Sequence, residues 1–356
     1  MPHPGQVPGF NPPNPRFHEE GMITIAQFGA GRIGAIHASN IAASERCRLH
    51  YIVDINPGAA KALADRHGAT VATAKTALED PSINAVLIAS STDTHAELIT
   101  QAAQHGKAIF SEKPIDLSLA RVDACLAEVK KAGVPMFVGF NRRFDPSFLS
   151  LRERLKAGEI GAVEQVVITS RDPGLPPLDY LKVSGGQFRD MTIHDFDMAR
   201  WLLGEEPEEI FAVGSCLVDP AVAGVGDTDS VMVLMRTASG KLCHINNSRR
   251  AVYGYDQRIE VHGAKGRLQA GNHSPTTVEV ANAQAVSTDK PLYFFLERYA
   301  AAYKAELSAF LKALEHNAPM PVGPVDGRMA LVLADAAAES LRTRAPVRLP
   351  GKGGKP

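Results

Sequence analysis

The chain is poor in cysteine and tryptophan, with four of the first and one of the second, and it has no long apolar run. Cys47, Cys125, Cys216 and Cys243 are scattered and form no C-x-x-C pair. Neither a zinc site nor a dithiol redox motif is signalled, and no metal is expected. Isolated thiols suit a reducing cytoplasm, where cysteine behaves as a small buried hydrophobe. No uninterrupted apolar stretch reaches the roughly 18 residues that a bilayer span needs. Excess charge of one sign is also missing: 38 basic against 39 acidic residues leave a formal charge of −1. With no global field to hold a polyanion, neither nucleic acid nor an anionic membrane is expected as a partner. What remains, 45% apolar and 22% charged over 356 residues, is ordinary globular composition. At about 100–200 residues per domain, that length predicts two domains.

The first 21 residues, MPHPGQVPGFNPPNPRFHEEG, lack a basic segment followed by an apolar one and so do not read as a secretory signal. Their proline, glycine and asparagine content predicts a disordered arm. Met22 opens the first apolar run, and residues 349–356 read as a flexible tail.

Residues 23–28 (ITIAQF) are short, apolar and β-rich, and Gly29-Ala30-Gly31-Arg32-Ile33-Gly34 follows them. A helical stretch to Ser44, a second strand over 48–53 (RLHYIV) and Asp54 complete the unit. Gly29 permits the tight turn, Gly31 lets the backbone approach a pyrophosphate, and Gly34 lets helix and strand pack closely. The helix N-terminus offers free N–H groups and partial positive charge to the phosphates. Asp54 lies 54 − 34 = 20 residues past the last glycine, where an acid accepts from the adenosine ribose hydroxyls. Its charge repels a 2′-phosphate, and no Arg or Lys stands at Ile55, Asn56 or Pro57, so NAD is expected over NADP. Arg32 is the one residue of the loop that softens this preference.

The βα alternation continues with an apolar strand over 85–89 (AVLIA) and Ser90-Ser91-Thr92-Asp93-Thr94-His95 at its carboxyl end, where such sheets bind ligands. Ser90, Ser91, Thr92 and His95 are therefore candidate cofactor contacts. A strand over 107–111 leads to Glu112-Lys113-Pro114, a helix spans 119–131, and a strand over 135–140 closes the half. Lys113 at a strand's carboxyl end can bond a substrate oxygen and favour alkoxide character, although a solvated surface lysine is the commoner case. Glu112 is expected to hold Lys113 or the cofactor. Beyond Arg142 the pattern changes to a helix over 146–156 and then successive β-like runs. Those runs predict a mainly antiparallel open sheet. An apolar face on such a sheet is a liability in a monomer, so a homo-oligomer is expected. Two closing helices are expected over 298–315 and 327–342.

Asp190 and His194 stand four residues apart. On a helix from Thr192 both project from one face, and the carboxylate raises the imidazole's basicity and fixes its tautomer, as a general base requires. Spacing alone leaves open the alternative of a helix-start acid beside a packed histidine. Asp197 fits a structural role. Tyr253 and Tyr255 alternate onto one strand face, where either can lie against a sugar-like ring or simply pack.

A Rossmann half ending in E-K-P at 112–114, then G-F-N-R-R-F-D at 139–145 and GGQFRDMTIHDFDMARW at 185–201, resembles the Gfo/Idh/MocA oxidoreductases over about residues 22–348. The run VYGYDQRIEV at 252–261, Asn247-Ser248-Arg249 before it and 291–299 after it are most similar to the inositol-oxidising branch. The resemblance implies an α/β fold with a Rossmann domain over 22–141 and an α+β substrate and oligomerisation domain over 142–348. It also implies a cis Pro114, a tetramer, and NAD-dependent oxidation of a secondary hydroxyl of myo-inositol or a related polyol. Lys113, Asp190 and His194 become the expected catalytic set, with Asn141, Arg142, Tyr253 and Tyr255 on the substrate side. Oxidation of another inositol isomer or sugar, and NAD-dependent glycoside hydrolysis, stay as alternatives. Ser91, Thr92 and Asn141 depart from the commoner family residues, which touches cofactor-loop detail and polyol preference.

Overall fold

The computed structural model describes residues 22–349. The expected arm over 1–21 and the tail from 350 lie outside the described residues. The described residues divide into two compact units, one of 22–139 with Tyr303–Arg328 and one of Phe140–Ala302 with 329–349.

The first unit runs β1 (Ile23–Phe28), α1 (Arg32–Ala42), β2 (Cys47–Val53), α2 (Pro57–His67), β3 (Thr70–Val71), α3 (Ala74–Glu79), β4 (Ala85–Ile88), α4 (Thr92–Gln104), β5 (Ala108–Glu112), α5 (Leu119–Ala132) and β6 (Met136–Gly139). Its six strands lie in the order β3-β2-β1-β4-β5-β6 and every pairing is parallel. The order reverses between β1 and β4, so the switch point of the sheet falls at the carboxyl ends of those two strands. Strands β1, β4, β5 and β6 are buried along their whole length, which is why they read as unbroken apolar runs. Helix α2 starts where the Asn56 side chain accepts from Gly58 N and Ala59 N, with Pro57 in its first turn, and stops at Gly68 in the left-handed region.

The second unit opens with a 3₁₀ turn at Asn141–Phe144 and α6 (Pro146–Lys156). Then follow β7 (Val163–Arg171), α7 (Leu178–Leu181), a π-helical turn at Phe188–Thr192, α8 (Ile193–Leu203), β8 (Pro207–Ser215), α9 (Ala221–Gly224), β9 (Ser230–Thr237), β10 (Leu242–Ser248), β11 (Asp256–Gly263) and β12 (Gly266–Ala270). A small hairpin of β13 (Glu279–Ala281) and β14 (Val286–Thr288), then α10 (Phe295–Arg298), α11 (Ala300–Glu315), α12 (Pro324–Thr343) and β15 (Val347–Arg348) complete the described chain. The large sheet has the order β12-β11-β7-β10-β9-β8-β15. All its pairings are antiparallel except the central one of β10 with β7. Among the described residues no helix is long and apolar enough to cross a membrane.

Two expectations change. The second domain does not run unbroken over 142–348, because Tyr303–Arg328 groups with the first unit. Phe310 of α11 meets Phe110 edge-on at 5.6 Å and Phe137 at 6.0 Å, and Val138 N donates to Val322 O, so this segment completes the first unit's core. Tyr253 and Tyr255 do not share a strand face. Gly254, at φ +127°, lies between them in a turn where a Cβ would sit 2.6 Å from Pro291 O. The turn sends Tyr253 outward and buries Tyr255 beside Phe294 and Tyr299.

Candidate active site

In the first unit, the glycine loop has the shape that its spacing predicts. Gly29 has φ +106° and a Cβ on it would strike the Ala89 carbonyl, while a Cβ on Gly34 would strike Gly29 O. Helix and loop can therefore meet only if both positions are glycine. Gly31 differs: a Cβ there meets nothing within 4 Å, so the protein itself does not require glycine. Its backbone borders open space at the start of α1, where no side chain caps the first N–H groups. Those groups and that space fit a pyrophosphate. Arg32 is exposed, while Ala30 and Ile33 are half-buried.

Asp54 ends β2, its Oδ2 accepting from Ala30 N at 2.6 Å and its Oδ1 from Asn56 N at 2.7 Å. The acid thus holds the glycine loop and the start of the turn into α2. Ser90 Oγ lies 2.7 Å from Thr94 Oγ1, Ser91 precedes α4, and Thr92 begins it. His95 is buried, with Nδ1 2.8 Å from Pro114 O and Nε2 3.1 Å from Ser90 O. It ties the β4 loop to the E-K-P segment through backbone carbonyls. Lys113 is half-buried and its bond to Pro114 is cis, as the resemblance implied. The Glu112 carboxylate turns inward to His37, with Oε1 2.7 Å from Nε2.

In the second unit, Asp190 and His194 occupy successive turns of one helical segment. The register is not the simple i, i+4 of an α-helix, because Phe188–Thr192 is π-helical and the α-helix begins at Ile193. Two donors grip Asp190: Tyr180 Oη donates to Oδ1 at 2.9 Å, and Arg249 Nη2 donates to Oδ2 at 3.1 Å. Arg249 is 2% exposed, and its Nε donates to Gln187 Oε1 at 2.8 Å. Its Nη1 lies 3.8 Å from Asp172 Oδ2, an ion pair without a hydrogen bond. Burial, with the neighbouring Asp190 charge, pushes the Asp172 carboxyl up to about 6 against the pull of Arg249 and Arg142. His194 is half-buried, its ring edge-on to Phe140 at 6.1 Å.

A buried polar network supports this segment. Asp195 accepts from Arg142 Nη1 at 2.5 Å, from Ser170 Oγ at 2.6 Å and from Asn247 Nδ2 at 2.9 Å, and Thr192 Oγ1 donates to Asn247 Oδ1 at 2.6 Å. Arg142 is thereby fixed with its guanidinium 5.8 Å from the Tyr299 ring centre. Arg143 forks onto Asp197 at 2.7 and 2.5 Å, which gives Asp197 a structural partner. Asn141 is buried, and its Oδ1 has no donor among the described residues. Tyr253 Oη donates to Asp256 Oδ2 at 2.6 Å and accepts from Arg171 Nη1 at 3.0 Å, so its hydroxyl is already engaged. Burial raises the Tyr255 hydroxyl well above its ordinary range. Arg249 and Asp172 were not singled out as site residues in the sequence. The one signal toward Arg249 was its place in the Asn247-Ser248-Arg249 run.

A parallel sheet with a glycine cradle at its switch point and an acid at the end of β2 is the nucleotide-binding half of an NAD-dependent oxidoreductase. The chain belongs to the Gfo/Idh/MocA oxidoreductases: residues 23–140 match the family's NAD-binding Rossmann model and residues 148–269 its C-terminal domain model. It is 50% identical over 320 residues to an inositol 2-dehydrogenase of Rhizobium meliloti (strain 1021), covering 90% of this chain and 97% of that one. It is 48% identical over 329 residues to a myo-inositol 2-dehydrogenase of Thermotoga maritima, covering 92% and 98%. Among solved structures, it superposes with a TM-score of 0.86 on a scyllo-inositol dehydrogenase from Lactobacillus casei with bound NAD(H) and scyllo-inositol, at 27% identity, covering 92% of this chain and 99% of that one.

Proposed function

We propose that the chain oxidises one secondary hydroxyl of myo-inositol, or of a closely related polyol, to the ketone. The observation that carries this reading is the Asp190–His194 segment anchored by Arg249 and Tyr180, in a chain with the glycine cradle of an NAD enzyme. Similarity to two inositol 2-dehydrogenases at about half identity supports the substrate class.

NAD⁺, when bound, supplies the hydride acceptor. Gly29, Ala30, Gly31, Arg32, Ile33 and Gly34 hold its pyrophosphate, Asp54 takes the ribose hydroxyls, and Ser90, Ser91 and Thr92 line the next loop. His194 receives the substrate hydroxyl proton, and Asp190, held in place by Arg249 and Tyr180, stabilises the imidazolium that results. Lys113 donates to the reacting or a neighbouring oxygen and favours its alkoxide character. Arg142 and Asn141 present fixed polar groups to the remaining hydroxyls. An uncharged polyol needs no further charge, which agrees with the near-neutral chain.

The enzyme is further proposed to be a cytoplasmic homotetramer serving inositol catabolism. Val213, Met232, Leu234 and Leu242 are each about half exposed on β8, β9 and β10. Their register (Val213 opposite Met232, Leu234 opposite His244) puts them on one sheet face, which a second copy would cover. The deciding experiment is a panel of inositol isomers and sugars with NAD⁺ and NADP⁺, followed by NADH or NADPH absorbance. Turnover of myo-inositol with NAD⁺ is expected. Equal rates with NADP⁺ would remove the Asp54 argument, and release of an aglycone without net NADH would replace oxidation by glycoside hydrolysis.

A further inference from the structure

Within the first unit, three ionisable side chains converge away from solvent. His37 projects from α1, Glu112 ends β5, and Glu306 lies on α11. One ligand atom of each falls within 4.8 Å of the other two. His37 and Glu306 are 0% exposed, and the pocket walls are Phe110 and Tyr303, whose rings meet His37 edge-on at 5.1 and 5.7 Å. Glu112 is engaged with His37 Nε2. Neither carboxylate oxygen of Glu306 has a hydrogen-bond donor among the described residues.

An ionised carboxylate in such a place is untenable, since burial without a donor or counter-ion is the most expensive state for that group. It would also repel Glu112 and compete with it for the His37 proton. Tyr303 is the other titratable group against His37 and can supply no positive charge. The competing occupant is a divalent cation held by the three side chains, one nitrogen and two carboxylates.

We propose that Glu306 is a positioning residue, kept as a neutral carboxylic acid, whose neutrality leaves the Glu112–His37 pair intact and so fixes the end of β5 from which Lys113 departs. This rests on the reading of Lys113 as a substrate contact. Burial and the Glu112 charge both push the Glu306 carboxyl upward, in the same direction. Gln reproduces the neutral acid in shape, whereas Ala leaves a void and Asp withdraws the group.

The test is infrared difference spectroscopy of the wild-type protein at about pH 8, where Asp172 is ionised. A protonated-carboxyl band, absent from Glu306→Gln, is expected. Glu306→Gln should keep kcat within about threefold, and Glu306→Ala should lose about tenfold or more. Absence of the band in the wild type overturns the proposal, and that spectrum decides it even if the Gln variant fails to fold. Equal loss in the Gln and Ala variants overturns it too, as does a stoichiometric divalent cation in the purified protein that Glu306→Gln releases. Lys113→Ala with unchanged kcat alongside an intact band would instead sink the Lys113 reading and leave the neutral Glu306 standing without a positioning role.

Discussion

Arg249 donates to Asp190 across 3.1 Å from a side chain that is only 2% exposed. Removing the guanidinium takes from Asp190 its buried cationic donor, and Gln187 and Asp172 also lose a partner. Breaking a buried ion pair from one side costs about 3–5 kcal/mol. Arg249→Ala should therefore lower the urea midpoint clearly and cut kcat by about tenfold to a hundredfold. Arg249→Lys keeps the charge but loses the fork and should fall between. Steady-state kinetics with equilibrium unfolding checks both, and an Ala variant with wild-type kcat would separate Asp190 from the chemistry.

The base assignment has a sharper expectation. A positioned general base contributes about 10²–10⁴ in rate. His194→Ala should lose that much in kcat, with the Kd for NAD measured by fluorescence titration unchanged. The ring is half-buried and edge-on to Phe140, so equilibrium unfolding of the variant separates any stability loss from the rate loss. A variant that keeps wild-type turnover of myo-inositol would mean that another group takes the proton.

Two glycines three residues apart, Gly31 and Gly34, should fail in opposite ways. Gly34→Ala drives a Cβ into Gly29 O, a backbone atom that cannot retreat. Overpacking of this kind costs about 1–3 kcal/mol or more, so its Tm should drop. Gly31 has φ −75° and open space beyond it, so Gly31→Val should fold with nearly wild-type Tm yet bind NAD about tenfold or more weakly. Thermal melts and NAD titration of the pair distinguish the roles. Matching behaviour of the two variants would contradict the assignment of Gly31 to the cofactor.

The nucleotide-binding half was legible because each of its constraints is local. The strand, the three glycines, the helix start and Asp54 all lie within 54 − 23 = 31 positions of one another, and close packing at Gly29 and Gly34 permits no other residue. The second unit was legible in its elements and not in its meetings. The central parallel pair of β7 with β10 sets Arg171 beside Ser248, the residue before Arg249, across 77 positions of sequence, which no local pattern encodes. Asp172 and Arg249 therefore arrive at Asp190 unannounced. The π-helical turn was invisible for a related reason: the Thr192–Asn247 bond that helps hold it is a tertiary contact. The hydroxyl partners of Tyr253 were hidden in the same way, since the Gly254 turn breaks the alternation that seemed to pair it with Tyr255.

The exposed apolar face makes a prediction about assembly. Met232 and Leu234 are 57% and 55% exposed and point the same way on β9. A double Met232→Glu, Leu234→Glu variant places two charges where a partner's sheet would lie, and an unpaired charge buried at an interface costs several kcal/mol. It should fold, with far-ultraviolet circular dichroism unchanged, and elute from light-scattering chromatography in a smaller state than the parent. An unaltered mass would show that this face is not the contact.

Asp172 carries the clearest pH dependence. Its carboxyl titrates at about 6 in the fold, above the ordinary value of about 4. For an acid whose folded value is raised, the stabilising contribution of the neutral form is complete below the unfolded value and is lost as pH rises through the folded one. Asp172→Asn, which is neutral throughout, should therefore match the wild type in urea stability near pH 4 and exceed it above about pH 6. Activity should move the other way, because only the ionised carboxylate is a charge partner for Arg249, the side chain that holds Asp190. The wild-type kcat/KM should rise through about pH 6, and the Asn variant should lose that rise. A stability gain equal at both ends of the pH range would mean that Asp172 does not titrate there.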